Sequence, residues 1–190
     1  MAAADNAEKI EVRSRADLRD WLAANHAQKA SVWLVTWKKD TDHYVPFPDY
    51  VEELLCWGWI DSVPRKVDDT RTSTLISPRN PKSAWSGVNK RLVAKARKSG
   101  AMQPPGEAAI SVAKKNGMWS FLDDVERLEM PEDLARVFDG LMAKWDDWPA
   151  SSRRAWLEKI KTAKTDATRE KRIAACVEAA RSYAPFAGLR

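Results

Sequence analysis

Apolar positions recur at helical spacing in the first patterned stretch of the chain, SRADLRDWLAA from Ser14 to Ala24, where Leu18, Trp21 and Leu22 fall on one stripe. Ser14 is placed to cap this helix, and Asp17, at the third following position, to close a capping box. The pattern then changes period. SVWLVTW, from Ser31 to Trp37, is β-branched and aromatic, and reads as a strand ended by Lys38-Lys39-Asp40. In DHYVPFP the two prolines each remove a donor and resist regular structure, whereas DYVEELLCWG returns to helical spacing through Val51, Leu54 and Leu55 and stops at Gly58. WIDSVPRKVDD and TRTSTLISPR read as two antiparallel strands around Asp68-Asp69-Thr70, with Pro64 marking an edge or a bulge.

Helical periodicity resumes from Ser83 to Ser99, with Trp85, Val88, Leu92 and Ala96 on one face, cations late and Gly100 past the end. Pro104 to Gly117 repeats the logic, with proline at the start and Asn-Gly at the stop. Three more helices follow: PEDLARVFDG after Pro131, then SSRRAWLEKIKTAK, then DATREKRIAACVEAARSY with Ile173, Cys176, Val177 and Ala180 inward. The expected fold is α+β and predominantly helical, with a small antiparallel sheet of about three strands. Residues 1–12 are expected as a flexible tail, 13–130 as a mixed lobe with a candidate pocket, and 131–190 as a helical C-terminal region packed on it.

Composition narrows the function classes. At 190 residues with 44% hydrophobic and 31% charged positions, the chain can bury a core without a metal or cofactor, and none is expected. No apolar run reaches the ~20 residues of a membrane-spanning helix, so membrane insertion is not expected. The polar start MAAADNAEKIEVRS has no cationic and apolar leader pattern, which together with two distant cysteines, Cys56 and Cys176, points to a reducing, cytoplasmic setting. The net charge of +5 allows an anionic partner, but 27 acidic residues are mixed among 32 basic ones, which argues against nucleic acid. Ten Trp beside seven other aromatics is more than a small core needs, and surplus indoles line ligand sites.

The chemistry concentrates between Cys56 and Asn89. SPRNPKS supplies a guanidinium and hydroxyls just ahead of a helix start, where Arg79 and Ser83 could clamp an anion, or Ser83 could simply cap and Arg79 pair with a carboxylate such as Asp61. Strand alternation puts Trp59 and Asp61 on one face. A desolvated Asp61 would serve as general base or ligand contact; paired with Arg79 or Lys66 it would only fix the loop. Trp57, Trp59 and Trp85 are candidates for an aromatic wall, or for core. Ser86 and Asn89 share a turn with Trp85 and could face the same pocket, or Ser86 could be a surface residue and Asn89 cap a loop. Cys56 reads as a buried structural cysteine, since a helix C-terminus disfavours thiolate and neither histidine is near. For nucleic acid only Lys90, Arg91, Lys95, Arg97 and Lys98 with Trp85 would serve, and their place at a helix C-terminus already explains the cations. No metal-binding pattern is present. These residues suit a binding pocket for a small-molecule or anionic ligand, with an enzyme using Asp61 and Arg79, or an interaction module, as alternatives.

CWGWIDS at Cys56–Ser62, SPRNPKSAWSGVNK at Ser77–Lys90 and AKTDATREKRI at Ala163–Ile173 resemble the YdeI/OmpD-associated (OmdA, bacteriocin-protection) family. Trp21 with Asn25-His26, VWL followed by Lys38-Lys39, and NGMW ending at Trp119 extend the likeness over roughly Arg13 to Tyr183. Through the family's names the resemblance implies links to antimicrobial resistance and outer-membrane proteins, without a settled activity or catalytic residues, and a binding module of this type would serve in stress or antimicrobial resistance. Members are sometimes assumed to be periplasmic, and this sequence departs from that expectation at its N-terminus.

Overall fold

The computed structural model describes residues 6–138 and 140–182. Residues 1–5 of the expected tail, Asp139 of PEDLARVFDG and residues 183–190, including Tyr183, lie outside the described residues. The chain divides into two compact units, Met1–Phe121 and Leu122–Arg190.

The first unit is built on a sheet of four strands, β1 (Lys9–Glu11), β2 (Val32–Trp37), β3 (Trp59–Lys66) and β4 (Arg71–Pro78), in the order β1-β2-β4-β3. The β3–β4 hairpin forms as expected, with β3 on the edge and the register slipping between Asp61 and Pro64, because proline has no N–H for the ladder. The sheet has one strand more than expected. Lys9–Glu11, read as part of the tail, pairs in parallel with Trp33–Val35, and Ile10 is its single buried residue. One apolar position between two charges carries no readable period. That pairing places β2 between β1 and β4, where most of its residues are buried, hence its near-continuous apolar run.

Four helices complete this unit: α1 (Arg15–Asn25), α2 (Phe47–Cys56), α3 (Gly87–Lys98) and α4 (Pro104–Lys115). The Ser14–Asp17 capping box is present at α1. Contrary to expectation, α2 starts at Phe47, since Pro48 in the first turn lacks a donor that the turn does not need. α3 starts at Gly87 with Ser86, not Ser83, as its cap. Two apolar clusters form the core. Leu18, Leu22, Val32, Leu34, Tyr50, Leu54, Trp59 and Ile76 pack as one; Val51, Leu55, Trp85, Val93, Ile110 and Ala113 pack as the other. Burying an indole such as Trp59, fully enclosed and donating Nε1–H to the His26 carbonyl at 3.0 Å, contributes about 4–6 kcal/mol before entropy.

Two glycines set how α2, α4 and the sheet approach one another. Gly58 turns the chain from α2 into β3 at φ 74°. Gly106 sits so close to the end of α2 that a Cβ there would lie 2.3 Å from the Cys56 carbonyl oxygen.

The second unit is helical: α5 (Asp123–Glu126), α6 (Glu132–Val137), α7 (Met142–Asp146), α8 (Ala150–Lys161) and α9 (Asp166–Arg181). α9 buries Ile173, Cys176, Val177 and Ala180, as its periodicity predicts. The short helices α5 and α7 were not expected; α7 exists to bury Trp145, which packs edge-on against Phe138 at 5.6 Å. Arg169 ties α9 to α6 by a two-pronged contact with Asp133 at 2.6 and 2.8 Å.

Candidate functional site

Arg79 follows the last residue of β4, held where its N–H donates to the Gly58 carbonyl at 2.9 Å. Its guanidinium lies over the Trp85 ring at 3.9 Å, and Nη2 donates to the Ala84 carbonyl at 2.6 Å and reaches Asn89 Oδ1 at 3.5 Å. Nε and Nη1 are buried and find no hydrogen-bond acceptor among the described residues. Burial pulls the guanidinium down to about 10, against a partial opposing pull from Asp61. A cation held dry with unspent donors is costly, which marks the position as one where an acceptor belongs. Beside it opens a cleft of about 180 Å³ lined by Arg79, Asn80, Pro81 and Trp85 on one side and by Ala108, Ala109, Val112 and Ala113 of α4 on the other.

The structure brings some of the sequence-predicted residues together and separates others. Arg79, Trp85 and Asn89 meet. Ser86 caps α3, accepting from the Asn89 N–H at 3.3 Å, so its hydroxyl is already engaged. Ser83 donates its N–H to the Asn80 carbonyl and neither caps the helix nor lines the cleft. The expected wall of Trp57, Trp59 and Trp85 does not form. Trp59 is core of the first cluster and Trp57 packs against it, tilted on His26 at 5.1 Å, while Trp85 belongs to the second cluster and neighbours Trp119. Trp57 and Trp59 fall elsewhere because one caps α2 and the other starts β3, with Gly58 turning the chain between them.

Asp61 makes no ion pair with Arg79, and Lys66 pairs with Asp69 at 3.0 Å instead. Burial pushes the Asp61 carboxyl up; its own backbone N–H and the Arg79 charge offset only part of that. It does not line the cleft. Cys56 is fully enclosed and its thiol is pushed up to about 12 by burial, as suits a structural residue. Of the cations weighed for nucleic acid, Lys95 contacts Glu52 at 2.7 Å and Arg97 contacts Glu107 at 2.6 Å, while Trp85, 1% exposed, offers no stacking face. Six of the ten Trp are core residues, so the indole surplus is mostly spent on packing.

One constellation went unread. Glu52 and Glu53, adjacent on α2, are 2% and 1% exposed. Glu53 accepts from Arg15 Nε at 2.8 Å, Arg19 Nη1 at 2.8 Å and Trp57 Nε1 at 3.2 Å. Glu52 accepts from Arg15 Nη2 at 3.0 Å, and the Lys95 ammonium lies 2.7 Å from its other oxygen, off the line of a hydrogen bond. Here every carboxylate faces a cation, so the cluster reads as architecture. In the second unit a surface groove of about 1040 Å³ runs between α6 and α9 over Val137, Ile173 and Val177. Among its rim charges Arg169 is committed to Asp133. Among the described residues no group of three His, Cys, Asp or Glu could hold a metal ion, and no helix is long and apolar enough to cross a membrane.

Residues 10–109 match the family model described as a domain of unknown function, DUF8412, and residues 127–182 match the model described as bacteriocin-protection, YdeI or OmpD-associated. The AKTDATREKRI motif lies inside the second match, whereas CWGWIDS and SPRNPKSAWSGVNK lie inside the first. Neither the curated proteins nor the solved structures include a match to the chain.

Proposed function

This chain belongs to the family of the domain of unknown function DUF8412 and carries a YdeI/OmpD-associated domain behind it, and from that premise we propose that it binds a small anionic ligand in the cleft between Arg79 and α4. One observation carries the reading: Arg79 holds two buried N–H groups without acceptors at the edge of a cleft. The acid group of a ligand provides both the missing acceptors and the missing countercharge. The Trp85 face steadies the cation until then, an interaction worth ~1–2 kcal/mol. Because both nitrogens are sealed from water, the guanidinium shifts off the indole as the ligand enters, and binding changes the surroundings of Trp85. An enzyme with Asp61 as base has one observation in its favour, the carboxyl raised by burial, and against it the position of Asp61 outside the cleft lining.

The bacteriocin-protection description of the C-terminal match supports a role in stress or antimicrobial resistance. Two buried, unlinked cysteines support a reducing compartment such as the cytoplasm. Native mass spectrometry of freshly purified protein tests the binding: a small acid should travel with the parent chain and be missing from a folded Arg79→Ala variant. A chain that carries no adduct, and whose Trp fluorescence no organic acid alters, is not this kind of binder.

A further inference from the structure

We propose that the Arg79–Trp85 cleft takes a small monocarboxylate with a short aliphatic or single-ring body, in preference to a phosphate. The inference rests on the anion-binding reading above and narrows it to a chemical class. Arg79 is the single cation lining the cleft, so one negative charge can be matched there and a second cannot. Asp61 lies near enough to be felt by Arg79, and its negative charge raises the cost of a dianion further. Opposite the guanidinium, the wall is Ala108, Ala109, Val112 and Ala113, with Pro81 at the rim, which suits methylene or aromatic carbon and gives phosphate oxygens nothing to bond.

Size and rigidity agree with that class. A space of about 180 Å³, at ~30 Å³ for each water-sized group, has room for roughly six such groups: a carboxylate with a short chain or one ring. The wall cannot recede to admit more, because α4 is seated on α2 with no room for a Cβ at Gly106 and with the Gln103 N–H donating to the Cys56 carbonyl at 3.2 Å. Across the cleft the Trp85 N–H is tied to the Met118 carbonyl at 3.1 Å. The apolar wall is preformed and selects by shape at little ordering cost, the shift of the Arg79 guanidinium being the one rearrangement that binding requires.

Isothermal titration with benzoate, butyrate, inorganic phosphate and neutral benzyl alcohol separates the possibilities. Benzoate and butyrate should bind the parent chain, with phosphate and benzyl alcohol each weaker by at least about tenfold. Arg79→Gln should weaken benzoate by a similar factor. So should Ala108→Leu, which fills the slot from an exposed helical position and leaves the core untouched. Phosphate binding as tightly as benzoate overturns the monocarboxylate class while leaving anion binding at Arg79 standing. Benzyl alcohol binding as tightly as benzoate, or no heat from any probe, overturns both. Benzoate binding unchanged in Ala108→Leu overturns the cleft as the location.

Discussion

Replacing Arg15 by alanine should be far more damaging than its place on an outward-facing helix turn suggests. The guanidinium donates to Glu53 Oε2 and Glu52 Oε1, and both carboxylates are almost wholly enclosed. Each is a charge-assisted hydrogen bond worth ~1.5–3 kcal/mol net, so the two together approach ~3–6 kcal/mol. Arg15 itself is 31% exposed, and water entering behind the truncated side chain recovers part of that, leaving a cost of about 3 kcal/mol. Urea unfolding followed by circular dichroism measures it, with Lys66→Ala as the control, since the Lys66–Asp69 pair is 70% and 96% exposed and its loss should stay below ~0.5 kcal/mol. The cost should also depend on pH. Burial pushes the Glu52 carboxyl up, but the close Lys95 ammonium and the hydrogen bond and charge of Arg15 outweigh it, and the net displacement is downward. A carboxyl depressed in the folded state adds stability above its unfolded value and loses it as pH falls through the folded value. The penalty of Arg15→Ala should therefore be full at neutral pH and shrink toward about pH 3. A neutral-pH penalty within ~1 kcal/mol of the control would show that the carboxylates are hydrated and the cluster is ordinary surface charge.

Two other substitutions probe the frame of the cleft. Gly106→Ala would gain ~1 kcal/mol in an unencumbered helix, yet here the new Cβ lies 2.3 Å and 2.6 Å from the carbonyl oxygens of Cys56 and Leu55, so a loss of at least about 3 kcal/mol is expected; a thermal midpoint equal to or above that of the parent contradicts the packing described. Asp61→Asn should stabilise the protein at neutral pH. A carboxyl raised in the folded state is best tolerated below its unfolded value, and its contribution is lost as pH rises through the folded one. The advantage of the variant should close as pH drops below ~3.9, and a pH-independent difference in denaturation midpoint would rule out a desolvated carboxyl.

Much of this structure was readable because its signals are local. The Ser14–Asp17 box, the Asp68–Thr70 turn and the Pro104 start each lie within a few residues, and each appears where the pattern placed it. Ser83 and Ser86 are equally good caps on paper. The choice between them is made by tertiary contacts around Trp85, whose N–H bonds to Met118, a residue no local window includes. The same limit hid Glu52 and Glu53. Adjacent glutamates on a helix read as a solvated face, and they are buried here because Arg15 arrives from 38 residues earlier in the chain. Arg79 was legible as a cation in a turn, but its unspent donors follow from which carbonyls surround it, and residue type does not encode that. Trp57 and Trp59 failed as site residues for a related reason, since proximity in sequence said nothing about the turn at Gly58 that sends them to different surroundings.

The close seat of α4 on α2 also provides a diagnostic for other chains. Any sequence aligned to this one and carrying a side chain at the position of Gly106 must hold those two helices further apart, and with them the alanine wall that faces Arg79. A glycine in that column, three residues after the counterpart of Gln103, thus serves as a searchable marker for relatives that keep the slot, and its replacement flags those whose ligand, if any, should be sought elsewhere.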